Sequence, residues 1–281
     1  MGNREEVIQV KYSILHRLGK KVFIFRSPWS DIIQYILLVA VIVWFMSIGT
    51  ARLGYIWHWY RVPRYLFTFK EGELLAGPLV RGLLLTLKIS AISLVLSFFL
   101  GLGTALLRLS GSVTGKLLAR GYLELIRNTP LLVQLFVMYF IVGPIFDMDR
   151  FLSAVLALSL FEGAYASEIF RAGIVSIHKG QWDACHSLGL SMWDTYRDVI
   201  FPQAIRRILP PLTNQAVALV KDSALVSLVA LEDLTQQARI TIAQTFLAFE
   251  IWFVVAAIYL VITVSLSFLV RYLEKRFQIV D

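Results

Sequence analysis

The chain has 281 residues, 58% of them hydrophobic and 16% charged, with a mean hydropathy of +0.70 and a formal net charge of +8. About 25% of a soluble domain is charged, so this composition excludes one and implies a membrane protein. The positive charge is spread over several segments that flank apolar runs and forms no single face or block, which excludes a nucleic-acid partner.

Uncharged or nearly uncharged runs lie at 32–51, 83–107 (interrupted by Lys88), 131–146, 151–170, 208–231 and 251–270. A bilayer core of ~30 Å takes ~20 residues of helix, so the pattern predicts an all-α protein with about six spans. The first run starts too far into the chain for a cleaved signal peptide and reads as a retained anchor. Residues 52–81 then mix Tyr55, Trp57, Trp59, Tyr60, Tyr65, Phe67 and Phe69 with Arg52, Arg61 and Arg64. That mixture favours an anchor in the headgroup layer over a binding site. The third run is short, but Thr129-Pro130 suits an N-cap and first helical residue and extends it. With the N-terminus inside, segments 1–31, 108–129, 171–207 and 271–281 carry eighteen Lys and Arg, and the outside segments carry six. The positive-inside rule therefore predicts cytoplasmic termini.

Between the fourth and fifth runs stands QWDACHSLGLSMWDTYRDVIFP, residues 181–202. Its apolar residues recur at Trp182, Cys185, Leu188, Met192 or Trp193, Tyr196 and Val199 or Ile200, the spacing of one helix face. Gly189 suits a left-handed C′ position, and Ser191 with Asp194 fits a capping box that starts a second helix. Gly180 suits the end of the preceding span, while Pro202 and Pro210-Pro211 delimit the start of the next. The expected unit is a rigid cytoplasmic elbow of two short helices. Its polar side sets Asp183, Asp194 and Asp198 against Arg197, a balance that favours a protein partner over anionic lipid.

Chemistry is scarce elsewhere. No Gly-x-x-x-x-Gly-Lys-Ser/Thr occurs, so no ATP site is built into the chain. The four His (16, 58, 178, 186) form no constellation with a nucleophile or metal-ligand spacing, and Cys185 allows no internal disulfide and reads as a bystander thiol. No enzyme activity, cofactor or metal is expected.

The segment from 183 resembles the EAA loop of permease subunits of ATP-binding-cassette (ABC) importers: Glu-Ala-Ala, three residues, Gly, nine residues, Ile-x-Leu-Pro. Asp183-Ala184-Cys185, Gly189 and Val199-Ile200-Phe201-Pro202 keep that spacing, with Asp for Glu, Cys for Ala, Val for Ile and Phe for Leu. The resemblance implies that the elbow is a coupling helix seated in a separate ATPase subunit, with Asp183, Ala184, Cys185, Gly189 and Pro202 as coupling residues. ELIRNTPLLVQLF (124–136), FEGAYASEIFRAGI (161–174), SLGLS (187–191), FPQAIRR (201–207) and LVKDSALVSL (219–228) resemble the polar amino-acid uptake branch. The likeness covers about residues 80–275, although His178 stands where the family often has Pro. Within the branch the motifs are most similar to permeases for glutamate and aspartate, with glutamine close behind.

Three charges fall inside predicted spans: Glu162 near the centre of the fourth, and Lys221 and Asp222 near the centre of the fifth. A charge at that depth costs ~2.5–3.5 kcal/mol on insertion scales, so all three need partners or a wet cavity. Lys221 and Asp222 are successive, about 100° apart on a helix, and cannot face each other. Two readings stand. In one, interhelical ion pairs fix the packing. In the other, Glu162 meets a substrate ammonium while Lys221 or Arg127 meets carboxylates, with Asp222 and Thr129 nearby. Arg127 reads equally as a positive-inside residue, Glu168 and Arg171 read as a local ion pair, and Lys88 as a snorkelling side chain.

The resulting expectation is a cytoplasmic segment at 1–31, an additional span at 32–51, an interfacial segment at 52–81, a permease domain at 82–275 with its coupling loop at 176–207, and a tail at 276–281. The resemblance implies a bacterial inner-membrane location. It also implies two ATPase subunits, a second permease subunit, an extracytoplasmic binding protein and a polar amino acid as partners, within surrounding lipid. The alternatives are a permease for a basic amino acid or a general one, an ion-driven secondary transporter, and a scaffold without a pathway.

Overall fold

The computed structural model describes residues 28–52, 54–70 and 72–277, and the chain divides into two compact units between Trp57 and His58. In the first unit, helix α1 (Pro28–Arg52) carries the first apolar run, with a mean hydropathy of 2.3 over Ile32–Gly49. The anchor expected from the sequence is thus one continuous helix of spanning length. The basic stretch at 1–27 lies outside the described residues.

The second unit opens with a short helix α2 (Pro63–Leu66) and a hairpin of β1 (Phe67–Lys70) and β2 (Glu73–Ala76). The strands pair antiparallel, Phe67 opposite Ala76 and Lys70 opposite Glu73. The backbone N–H of His58 donates to Glu250 Oε1 at 2.6 Å, which ties this segment to a fully buried carboxylate in the last helix.

Helices α3 (Pro78–Leu109), α4 (Val113–Arg127), α5 (131–145), α6 (Arg150–Val175), α7 (Lys179–Ser187), α8 (Phe201–Asp222), α9 (Leu234–Thr245) and α10 (Ala248–Phe277) follow. Among the described residues, α1, α3, α6 and α10 are long and apolar enough to cross a membrane, and α4 with α5 makes a fifth if that pair, bent by 105°, is one broken span. The fifth expected run, 208–231, is less apolar than these. It is divided between α8 and a 3-10 segment at Ser223–Val229. The cause lies in composition, since Thr213, Asn214, Gln215, Lys221 and Asp222 give α8 a polar face that an isolated span lacks.

The centre of the unit is the pairing of α3 with α6. On α3 the buried positions include Thr86, Ser90, Ser93, Ser97, Gly101 and Ala105, a stripe of small residues at helical spacing. Lipid supplies no hydrophobic drive between helices, so close backbone approach must hold them together, and small residues permit it. Gly101 shows the limit: a Cβ there would stand 2.7 Å from the Cβ of Ala166. Ser93 Oγ donates across the interface to the Val155 carbonyl at 3.3 Å. Two apolar clusters flank this seam. One joins Ile89, Leu131, Leu135, Leu158 and Leu219; the other joins Ala105, Phe170, Ile174, Ile200 and Ile208 at the end where the elbow emerges.

Candidate functional site

The elbow follows α6 directly. That helix ends at Val175, so Gly180 does not end a membrane helix; it lies in the first turn of α7, where its N–H donates to Nδ1 of the N-cap His178 at 3.0 Å. An N-cap needs a side-chain acceptor for the free N–H groups of the first turn, and His178 supplies it.

Gly189 ends α7 as the sequence predicts. Its φ is +69°, its N–H donates to the His186 carbonyl at 3.0 Å, and Leu190 N–H donates to the Cys185 carbonyl at 3.1 Å, which together close the helix C-terminus. Ser191 then caps the next turn, accepting from Asp194 N–H at 3.2 Å and donating to Asp194 Oδ2 at 2.5 Å.

The second arm differs from expectation. It is not a separate short helix: a turn at Met192–Asp194 and a π segment at Thr195–Ile200 run straight into α8. Pro210 and Pro211 sit inside α8 and delimit nothing. The carbonyls they leave without donors belong to Arg206 and Arg207, both exposed residues, so the helix continues past them. The elbow tip is therefore continuous with α8, with no intervening loop.

The elbow's inner face is rooted in the apolar cluster at that end. Cys185 and Ile200 are buried, and Trp182 packs edge-on against Tyr196 with ring centroids 5.4 Å apart. Leu188 (78% exposed), Met192 and Trp193 (71%) project outward beside the exposed Asp183 and Ala184. Three large apolar side chains at a rigid, capped tip with an acidic residue alongside fit a protein cleft. Pro202 lies in the first turn of α8. Of the coupling residues named from the sequence, Asp183, Ala184 and Gly189 face outward, whereas Cys185 faces the core.

The charges of the spans divide into two groups. Glu162, 1% exposed, accepts a hydrogen bond from Gln215 Nε2 of α8 at Oε2, while its Oε1 has no hydrogen-bond partner. The Asp222 carboxyl is close enough to Glu162 for the two to interact electrostatically. Lys221 points away and is exposed, as the angle between successive helix residues requires. Gln215 was not foreseen, yet a signal existed: it precedes Asp222 by seven residues and so shares its helix face.

Arg127 and Thr129 stand apart from Glu162. Arg127 Nη1 lies 3.1 Å from Glu168 Oε1, which also meets Arg108 Nη1 at 2.5 Å; Glu168 Oε2 meets Arg171 Nη2 at 3.1 Å. The expected local Glu168–Arg171 pair is one edge of a node that ties α3, α4 and α6. This node borders a cavity of 610 Å³. Thr129 caps no helix start, because α5 has Pro130 as its N-cap. Its Oγ1 donates back to the Leu125 carbonyl at 2.9 Å and accepts from Gln134 Nε2 at 2.8 Å, which pins the bend between α4 and α5. Lys88 Nζ sits 5.1 Å from the centroid of the Phe151 ring.

Comparison with known proteins bears on this arrangement. Residues 82–279 match the family described as binding-protein-dependent transport system inner membrane component. The glutamine transport system permease protein GlnP of Escherichia coli (strain K12) is 41% identical over 204 residues, 72% of this chain and 93% of that protein. The probable glutamine ABC transporter permease protein GlnM of Bacillus subtilis (strain 168) is 40% identical over 194 residues, 69% of this chain and 90% of that protein. A crystal structure of an amino acid ABC transporter with histidines superposes with a TM-score of 0.67 at 40% identity, covering 71% of this chain and 94% of its own. A structure of the MetNI methionine ABC transporter shares the fold at a TM-score of 0.63 and 19% identity.

Proposed function

Because the chain belongs to the family of inner membrane components of binding-protein-dependent transport systems, we propose that it is the permease subunit of an ABC importer that moves a polar amino acid, glutamine first, into the cytoplasm. The observation that carries this reading is the elbow: a capped tip with exposed Leu188, Met192 and Trp193, continuous with α8 and hence with the residues that hold Glu162. Two ATPase subunits seat such tips, a second permease subunit completes the pathway, and an extracytoplasmic binding protein delivers the substrate. Hydrolysis belongs to the ATPases.

The sequence motifs lean toward glutamate and aspartate, and the relatives named for glutamine reverse that order. The charges agree with the reversal. Glu162 and Asp222 form one anionic site for an ammonium, and Lys221 points away from it, so a second substrate carboxylate would need a cation from elsewhere. Arg127 is engaged with Glu168. Glu162 is closed off in this conformation, so the substrate meets it only after α8 moves.

Reconstitution with the ATPase and binding protein in vesicles tests the proposal. Uptake of labelled glutamine is expected to require ATP, and unlabelled glutamate is expected to compete poorly. Accumulation driven by an ion gradient without the ATPase would replace this reading with a secondary transporter.

Orientation has its own test. Cys185 is 3% exposed and is a poor target for a thiol reagent, whereas its neighbour Ala184 is exposed. Ala184→Cys in a Cys185→Ala background, expressed without the ATPase, is expected to react with an impermeant reagent in inside-out vesicles only. Reaction in intact cells would reverse the topology drawn from the eighteen-to-six charge asymmetry.

A further inference from the structure

The cavity beside Glu168 is lined by the cations Arg108, Lys116, Arg120, Arg127 and Arg171. The acids on its wall are Glu124 and Glu168, so five positive charges meet two negative ones. Glu168 is shared among three of the arginines, and Glu124 accepts from Asn128 Nδ2 at 2.7 Å. The wall therefore keeps a net positive charge.

The placement of these cations on α4 departs from a general scatter of positive-inside residues. The buried stripe of that helix is Gly115, Ala119, Leu123 and Ile126. At 3.6 residues per turn, Lys116, Arg120 and Arg127 form a second stripe along its border. Beyond that stripe lie Val113 (81% exposed) and Leu117 (68%). The helix thus presents a row of cations with an exposed apolar strip next to it, at the end of the molecule from which the elbow emerges.

We infer that this cavity is a binding site for an anionic phospholipid of the elbow-side leaflet, its headgroup phosphate among Lys116, Arg120 and the arginine node and its acyl chains along Val113 and Leu117. A basic pocket between membrane helices suits an anionic headgroup. The adjacent apolar strip distinguishes a lipid from a soluble anion, which has nothing to place there. The site is separate from the Glu162 group and from the elbow tip.

The test uses the intact complex purified through this subunit, with phosphatidylglycerol or phosphatidylcholine vesicles as the lipid source and native mass spectrometry as the readout. Retention of phosphatidylglycerol and not phosphatidylcholine is expected. Lys116→Gln with Arg120→Gln should lower that retention about 30-fold, taking about 1 kcal/mol for each cation removed, while Lys116→Arg with Arg120→Lys should keep it. Equal retention of the two lipids would overturn the proposal, and would be the result if a second copy of this chain covers the stripe. Inorganic phosphate that binds as tightly as phosphatidylglycerol, with no effect of Leu117→Ser, would also overturn the lipid assignment. Should the glutamine variants fail to assemble, the comparison of the two lipids on the unsubstituted complex decides alone.

Discussion

Gly189→Val is expected to abolish most of the stimulation of ATP hydrolysis by the loaded binding protein while leaving the binding protein able to dock. A Cβ at Gly189 meets nothing within 4 Å, so the cost does not come from a clash. It comes from the backbone: φ is +69°, a region that costs an L-residue about 1–2 kcal/mol and a β-branched one more. That strain corresponds to roughly a 5- to 30-fold shift toward conformers in which the C-terminus of α7 unwinds. The bonds at stake are those from Gly189 and Leu190 to the His186 and Cys185 carbonyls, and with them goes the alignment of Leu188 against Met192 and Trp193. Gly189→Asn separates conformation from side-chain size, since Asn tolerates the left-handed region, and should retain most of the stimulation. Undiminished stimulation in Gly189→Val would mean that the elbow is not the lever.

The contrast between elbow and spans shows what the sequence discloses. The elbow was legible because its determinants are local: the glycine, the Ser191–Asp194 cap and the three-to-four apolar spacing lie within about twenty residues, and each follows from backbone chemistry. Gly180 misled because Gly fits a helix end and a helix start alike, and only the capping His178 Nδ1 distinguishes them. Pro210 and Pro211 misled because the penalty for an interior proline depends on whether the freed carbonyls find water, which spacing does not reveal. The pairing of charges was least accessible. Glu162 and Gln215 are 53 residues apart and Arg108 and Glu168 are 60 apart, so neither pair leaves a local pattern. The seam between α3 and α6 went unread: the recurring Ser, Thr and Gly of its apolar run mark a close approach without naming what approaches.

Continuity of the elbow with α8 gives the proposed coupling a physical route between the two sites. Gln215 and Asp222 lie on α8, and both address Glu162 on α6. A displacement of the tip that slides α8 past α6 must therefore alter the surroundings of Glu162, which is what coupling of ATP binding to substrate affinity requires: the same motion has differential contacts at both ends.

Glu162→Gln tests the substrate end of that link. The substitution keeps the shape of the side chain and keeps an oxygen to accept from Gln215 Nε2, so the contact between α6 and α8 should survive. What is lost is the charge, including that of Oε1, the oxygen that has no hydrogen-bond partner and is available to an ammonium. A hydrogen bond to a charged group contributes about 1.5–3 kcal/mol, or about 10-fold to over 100-fold in affinity. Glutamine transport should fall by that order, whereas ATP hydrolysis stimulated by the loaded binding protein should persist, because docking at the elbow does not involve this residue. If Glu162 serves only to hold α6 against α8, transport and hydrolysis should instead decline together, with poor assembly of the complex. Measuring both activities in the same vesicles distinguishes these cases, and undiminished transport in Glu162→Gln would remove Glu162 from the pathway.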